Sequence, residues 1–158
     1  MLTENEAGRV WQRMFEAEVR SLYFGDLAAR HSRRKRIMTG VIFFLSSGAA
    51  ATILAALPKQ IPIVLSLIVA ILTAYSIAVN LDTRIKTFLK LHYEWNRLES
   101  EYERLWNHWR DADAEGILAD LVKRGRDASE IAAEFTVNEE RIGKWTRFVQ
   151  SRFPQVTA

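Results

Sequence analysis

The chain has 158 residues, of which 49% are hydrophobic and 26% are charged, with a formal net charge of +3 and no cysteine. The lack of cysteine excludes disulfides, thiolate nucleophiles and cysteine-based metal sites. At this length we expect one small protein rather than a string of large domains.

The N-terminal segment, residues 1–36, is predicted to be an amphipathic cytoplasmic helix that ends in a basic flank. Thr3 and Glu6 have the spacing of a capping box at the start of a helix. Gly25-Asp26 is a candidate break or kink, after which the helix is expected to run on into the apolar segment. One face of this helix carries the apolar residues Val10, Trp11, Met14, Phe15, Val19 and Leu22.

Residues 37–81 hold two uncharged apolar runs, at 37–57 and 63–81, which are joined by a short loop at 58–62. A helix needs roughly 20 mostly apolar residues to cross a hydrocarbon core about 30 Å thick. Lipid offers no hydrogen-bond partners, so a spanning run must be helical. The helices of a soluble bundle normally show a strongly polar stripe, which both runs lack. The sequence therefore predicts a two-helix transmembrane hairpin.

Basic residues are concentrated on one side of the hairpin, and the connecting loop holds only Lys59. Before the first run stands the basic flank, which consists of Arg30, Arg33, Arg34, Lys35 and Arg36. After the second run come Arg84, Lys86 and Lys90. Positive flanks stay in the cytoplasm, so both termini are expected there. Such a basic run also occurs in nucleic-acid-binding proteins, but a spanning run follows it at once, which favours contact with anionic lipid headgroups.

Residues 82–112 are predicted to form one long cytoplasmic helix, continuous with the second span. Its apolar residues alternate at spacings of three and four, as in the heptad seam of a coiled coil. Large rings suit a wider stalk of three or four helices, or packing against the N-terminal helix. This seam consists of Phe88, Leu91, Trp95, Leu98, Tyr102, Leu105 and Trp109.

Residues 113–158 are predicted to form a separate module of short helices, at 117–123, 129–135 and 139 to about 153, with a turn at 136–138. The apolar pattern around this turn also resembles a helix-turn-helix, whose recognition helix would carry Arg141, Lys144 and Arg147. Glu139 and Glu140 stand where such a helix would contact DNA, so a partner-docking module is the preferred interpretation.

The sequence offers no convergent set of catalytic, cofactor-binding or metal-binding residues. The three histidines lack metal-ligand spacing, and the glycines form no phosphate-binding loop. We therefore expect a protein that is not an enzyme and needs no cofactor.

The second span carries a mildly polar stripe at a spacing close to seven residues. Such a stripe can line a water-filled pore when helices assemble. In the alternative interpretation, each hydroxyl bonds to its own helix and the asparagine lies at the membrane interface. The candidate pore stripe consists of Ser66, Thr73, Ser76 and Asn80.

From residue 26 to residue 110 the layout resembles the SLATT family of two-transmembrane bacterial effectors. The resemblance rests on the basic flank, the short loop, and the pattern from Leu91-His92-Tyr93 through Leu98, Tyr102 and Leu105. It implies an all-α multi-pass protein of the bacterial inner membrane that assembles with copies of itself. It further implies that an upstream nucleotide-signalling or sensor protein triggers it to permeabilise the membrane during phage infection.

Two other functions remain open from the sequence. The first is a membrane anchor or adaptor that forms no pore and recruits a soluble partner through its C-terminal helices. The second is a membrane-tethered helix-turn-helix protein that binds DNA, although nucleic acid is the less expected partner.

Overall fold

The structure is a computed structural model that describes residues 1–47, 58 and 60–152. The described part of the chain is all-α and holds five helices. They are α1 (Glu4–Ser46), α2 (Gln60–Ala78), α3 (Leu81–Asn107), α4 (Ala114–Ala133) and α5 (Glu139–Arg152).

Helix α1 begins at the predicted capping box. The Glu6 carboxylate accepts hydrogen bonds from the Thr3 N–H (2.8 Å) and hydroxyl (2.7 Å), and the Glu6 N–H donates to Thr3 Oγ1 at 3.3 Å. These bonds hold the pKa of Glu6 below its ordinary value. The helix continues through Gly25 and Asp26, so the candidate break at these two residues is not observed.

The first predicted span, 37–57, is described only as far as residue 47, and the rest of that run lies outside the described residues. Helix α2 begins at Gln60, three residues before the predicted start of the second span. Pro62 therefore lies in its first turn, where the missing N–H of proline costs no hydrogen bond.

The prediction that the second span continues into the cytoplasmic helix is wrong at one point. Helix α2 ends at Ala78, and Asn80 has a φ of 45° before α3 begins at Leu81. Asparagine adopts this left-handed conformation more readily than most residues. Thr83 Oγ1 donates to Asn80 Oδ1 at 2.9 Å, which ties the asparagine to the first turn of α3.

The two short helices predicted at 117–123 and 129–135 are one helix, α4. Gly125 lies in the interior of this helix. A single glycine destabilises a helix by only about 1 kcal/mol relative to alanine, so the helix can continue through it. The predicted helix start at Glu139 is confirmed, and residues 136–138 lie in the non-helical connection between α4 and α5, whose turn is at residue 134.

The chain divides into two compact units. The packed unit contains residues 1–26 and 87–152, and its core side chains come from α1, α3, α4 and α5. The apolar unit contains residues 27–86, and among them lie the described parts of both predicted spans.

Candidate functional site

Helix α2 is the helix in the described part of the chain that is long and apolar enough to span a membrane. Its 19 residues have a mean hydropathy of 2.4, include no charge, and are not buried by other parts of the protein. Ile63, Leu67 and Ile77 are 67%, 60% and 74% exposed. A core helix of a soluble protein would have most of these side chains covered, so their exposure favours association with a membrane.

The candidate pore stripe is split by the structure. Ser66, Thr73 and Ser76 lie on α2, whereas Asn80 lies beyond its end. Ser66 Oγ donates to the Ile63 carbonyl and Thr73 Oγ1 to the Val69 carbonyl, both at 2.8 Å. These two hydroxyls are therefore satisfied within their own helix, as the alternative interpretation expects.

The basic flank occupies the part of α1 that precedes the first apolar run. Arg33, Arg34 and Arg36 are exposed, whereas Lys35 forms an ion pair with Asp82 in the first turn of α3. Both partners of this pair belong to the apolar unit. Lys35 stands just before the first apolar run and Asp82 just after the second, so the pair holds these two ends together.

Six of the seven seam residues are buried in the packed unit. Phe88, Leu91, Trp95, Leu98, Tyr102 and Leu105 are each at most 5% exposed. Trp109 lies beyond the end of α3, is half-buried, and has the Arg110 guanidinium over its ring.

The seam packs against helices of its own chain. The ring centroid of Phe88 lies 6.2 Å from that of Phe24 on α1 and 4.7 Å from that of Phe135, which follows α4. The Arg20 guanidinium of α1 lies 4.7 Å from the centroid of Trp95. Side chains covered in this way cannot also contact a second copy, so the seam is a core rather than an oligomer contact in this conformation.

A polar contact that the sequence did not reveal lies between α1 and α3. Ser21 is 3% exposed, and its hydroxyl lies 3.1 Å from His92 Nδ1. The same nitrogen lies 2.9 Å from the Ser21 carbonyl oxygen, which can only accept, so Nδ1 carries the proton in this bond. A Cβ at Gly25 would approach His92 Nδ1 to 3.2 Å, and glycine therefore permits this close approach.

Charged side chains join α3 to α4. Arg124 Nη1 bonds Glu101, which also accepts from Arg97 Nε at 2.8 Å. Burial alone would raise the pKa of Glu101, but the bonds from both arginines outweigh it and the pKa is lowered. The same bond to Glu101 raises the pKa of Arg124. Burial dominates at Glu99 and raises its pKa.

The C-terminal segment belongs to the packed unit rather than to a separate module. The Asn138 N–H donates to the Tyr23 hydroxyl at 3.0 Å, and Arg152 pairs with Glu18. Arg141, one of the basic residues assigned to a recognition helix, lies 3.8 Å from the Asp26 carboxylate. The helix-turn-helix interpretation stays a prediction.

Within residues 1–47, 58 and 60–152, no group of three or more histidine, aspartate and glutamate side chains is placed to hold a metal ion. Comparison of the chain with protein-family models, with curated proteins and with solved structures finds no match.

Proposed function

We propose that the protein is a two-span effector of the bacterial inner membrane, which assembles with copies of itself and permeabilises the membrane when a signal reaches its packed cytoplasmic unit. The observation that carries this proposal is the uncovered apolar surface of α2. A helix of 19 residues rises about 28 Å, close to the thickness of a hydrocarbon core. One hairpin cannot enclose a pore, so permeabilisation requires several copies.

The two-span topology is supported by the Lys35–Asp82 ion pair. In a hairpin, the start of the first span and the end of the second lie at the same membrane surface. The pair joins residues at these two ends. The exposed arginines of the basic flank add the positive charge that keeps this surface cytoplasmic.

The topology is testable because the chain has no cysteine that would need removal. We would introduce Pro58→Cys in the loop and, as the matched control, Asp111→Cys after α3. A membrane-impermeant maleimide added to intact cells should label the cysteine at 58 and leave the cysteine at 111 unlabelled until the cells are lysed. Equal protection of both cysteines would contradict the hairpin.

Permeabilisation is tested by membrane potential and dye entry in bacteria that express the intact chain. We expect depolarisation, and we expect the double substitution Ser66→Leu with Thr73→Leu to relieve it. The control is Val64→Leu with Ile71→Leu, which has the same spacing on the opposite face of α2. A preserved potential at an abundance where cross-linking detects oligomers would reject a pore that opens on assembly without the signal.

An anchor or adaptor is the second candidate, and two observations favour it. The Ser66 and Thr73 hydroxyls bond their own helix, and the seam is covered within one chain. Under this function, expression of the chain leaves the membrane potential intact. The packed unit binds a soluble partner, and the Val64→Leu and Ser66→Leu variants of the full chain bind that partner as well as the wild type does.

A further inference from the structure

A basic cavity of about 280 Å³ lies within the packed unit, between α1, α3 and α4. Its floor is formed by the buried rings of Trp95 and Tyr102. Arg13 and Arg126 stand exposed at its rim, and Arg20 lies half-buried between them and the floor. Glu16 also lines the cavity, so the three arginines leave it with a local excess of two positive charges.

The cavity arginines differ from four other arginines of the same unit. Arg97, Arg124, Arg141 and Arg152 each pair with a carboxylate. Among the described residues, Arg13, Arg20 and Arg126 form no such ion pair, even though Glu16 lies in the same cavity. Three neighbouring guanidinium groups without an anionic partner repel one another, and a bound anion would remove that repulsion.

Arg20 is already held in position without a counter-charge. Its Nη1 donates to Ser129 Oγ at 2.9 Å, and Ser129 Oγ donates in turn to the Gly125 carbonyl at 2.8 Å. The guanidinium lies over the Trp95 ring. A side chain fixed in this way loses little conformational entropy when it binds a ligand.

Trp95 supplies a second, independent sign of a missing partner. Its ring is 5% exposed, and its Nε1–H is buried with no acceptor in the described part of the chain. A buried donor without an acceptor costs about 1–3 kcal/mol. The Nε1 atom has almost no accessible surface, so an oxyanion in the cavity reaches this donor only after the side chains around it shift.

We propose that the cavity binds the phosphate group of a small soluble phosphate ester, held by Arg13, Arg20 and Arg126. The planar forks of arginine match the oxygens of phosphate bidentately, and several converging arginines favour a dianion over a carboxylate. Small-molecule sites usually occupy about 300–1,000 Å³, and this cavity of about 280 Å³ lies just below that range, which suits a small ligand. The site goes beyond membrane permeabilisation, since binding requires no pore.

The deciding experiment is calorimetric titration of the detergent-solubilised full chain with inorganic pyrophosphate. We expect saturable binding with one site per chain, weakened at least tenfold by Arg20→Gln and by Arg126→Gln. Trp95→Phe keeps a ring beneath Arg20 but removes the indole N–H, and should weaken binding severalfold. Arg147→Gln, on the exposed side of α5, is the matched control and should bind as the wild type does.

Two further arms identify the source of the phosphate. Adenosine monophosphate tests whether the cavity admits an organic body, and phosphatidic acid in the same micelles tests a lipid headgroup. Absence of saturation with pyrophosphate, equal affinity of Arg20→Gln and Arg147→Gln, or binding of phosphatidic acid alone would each overturn the proposal. Circular dichroism verifies that each variant is folded. Because binding is measured in micelles, its outcome is separate from that of permeabilisation in cells.

Discussion

Leucine side chains differ in exposure between α2 in the apolar unit and α3 in the packed unit. Leu67 on α2 is 60% exposed, whereas Leu98 on α3 is completely buried. Both lie on helices of the same chain, so hydrophobicity alone does not decide burial. In α2 the apolar residues occur all round the helix, and in α3 they form one stripe with charged residues beside it. The stripe suits a protein core in water, and the all-round pattern suits lipid.

The strongest way to break this comparison is to truncate one leucine in each unit. Leu98→Ala should lower the free energy of unfolding of the packed unit by about 2–5 kcal/mol, because it leaves a cavity in a close-packed core. Leu67→Ala should change it by less than about 0.5 kcal/mol. Thermal unfolding in detergent, followed by near-UV circular dichroism, measures both. Similar losses in the two variants would show that α2 is part of the same core.

A charge placed in each unit tests the surroundings directly. Ile71→Lys puts a charge in the middle of α2, where insertion into lipid should become about 3 kcal/mol less favourable. Ile117→Lys adds the same charge on α4, at a side chain that is 42% exposed, and should be nearly neutral. The fraction of protein that resists alkaline extraction from membranes reports the difference. Full retention of Ile71→Lys would contradict a membrane-spanning α2.

The tightness of the packed unit is tested at the contact between Gly25 and His92. Gly25→Ala should destabilise the packed unit by about 1–3 kcal/mol, since the new methyl group overpacks against the imidazole. Gly8→Ala is the control on the same helix, where a Cβ meets nothing within 4 Å. That change should stabilise α1 by about 0.5–1 kcal/mol. Denaturant unfolding measures both, and stabilisation by Gly25→Ala would rule out a tight contact at His92.

The smallest expected effects come from two neighbouring carboxylates with opposite pKa shifts. The lowered pKa of Glu101 gives stability that is present above its ordinary value of 4.5 and is lost as the pH falls through the folded pKa. The raised pKa of Glu99 has the opposite sign, because burial penalises its charged form at neutral pH. At pH 7, Glu101→Gln should therefore cost about 1 kcal/mol, and Glu99→Gln should stabilise the fold.

Stability measured between pH 7 and pH 3 separates these effects. The difference between each variant and the wild type should shrink as the pH falls. Glu103→Gln, an exposed glutamate on the same helix, serves as the control. A loss of stability with Glu99→Gln at pH 7 would contradict the burial penalty.

The all-α class, the capping box at Thr3 and the helix start at Glu139 were predictable, because each depends on neighbours within a few residues. The burial of the seam was also predictable from its spacing, but the choice between the N-terminal helix and a second copy as its partner was not. Whether a stripe packs on its own chain or on another copy is decided by long-range contacts.

Other features depended on tertiary contacts that leave little local signal. A glycine such as Gly125 often marks the end of a helix. Helix α4 nevertheless continues through it, because buried residues from Ala114 to Ala128 pack along the helix. Ser21 and His92 lie 71 positions apart and meet only in the fold. The cavity arginines Arg13 and Arg20 are seven positions apart, close to two helical turns, so the sequence places them on one face of α1. The sequence does not show that Arg126, on a different helix, lies beside them.

The backbone at Asn80 has a mechanical consequence. Between α2 and α3 the left-handed asparagine interrupts the helical backbone, so the two helices do not form one continuous helix that could pass on a rotation about a common axis.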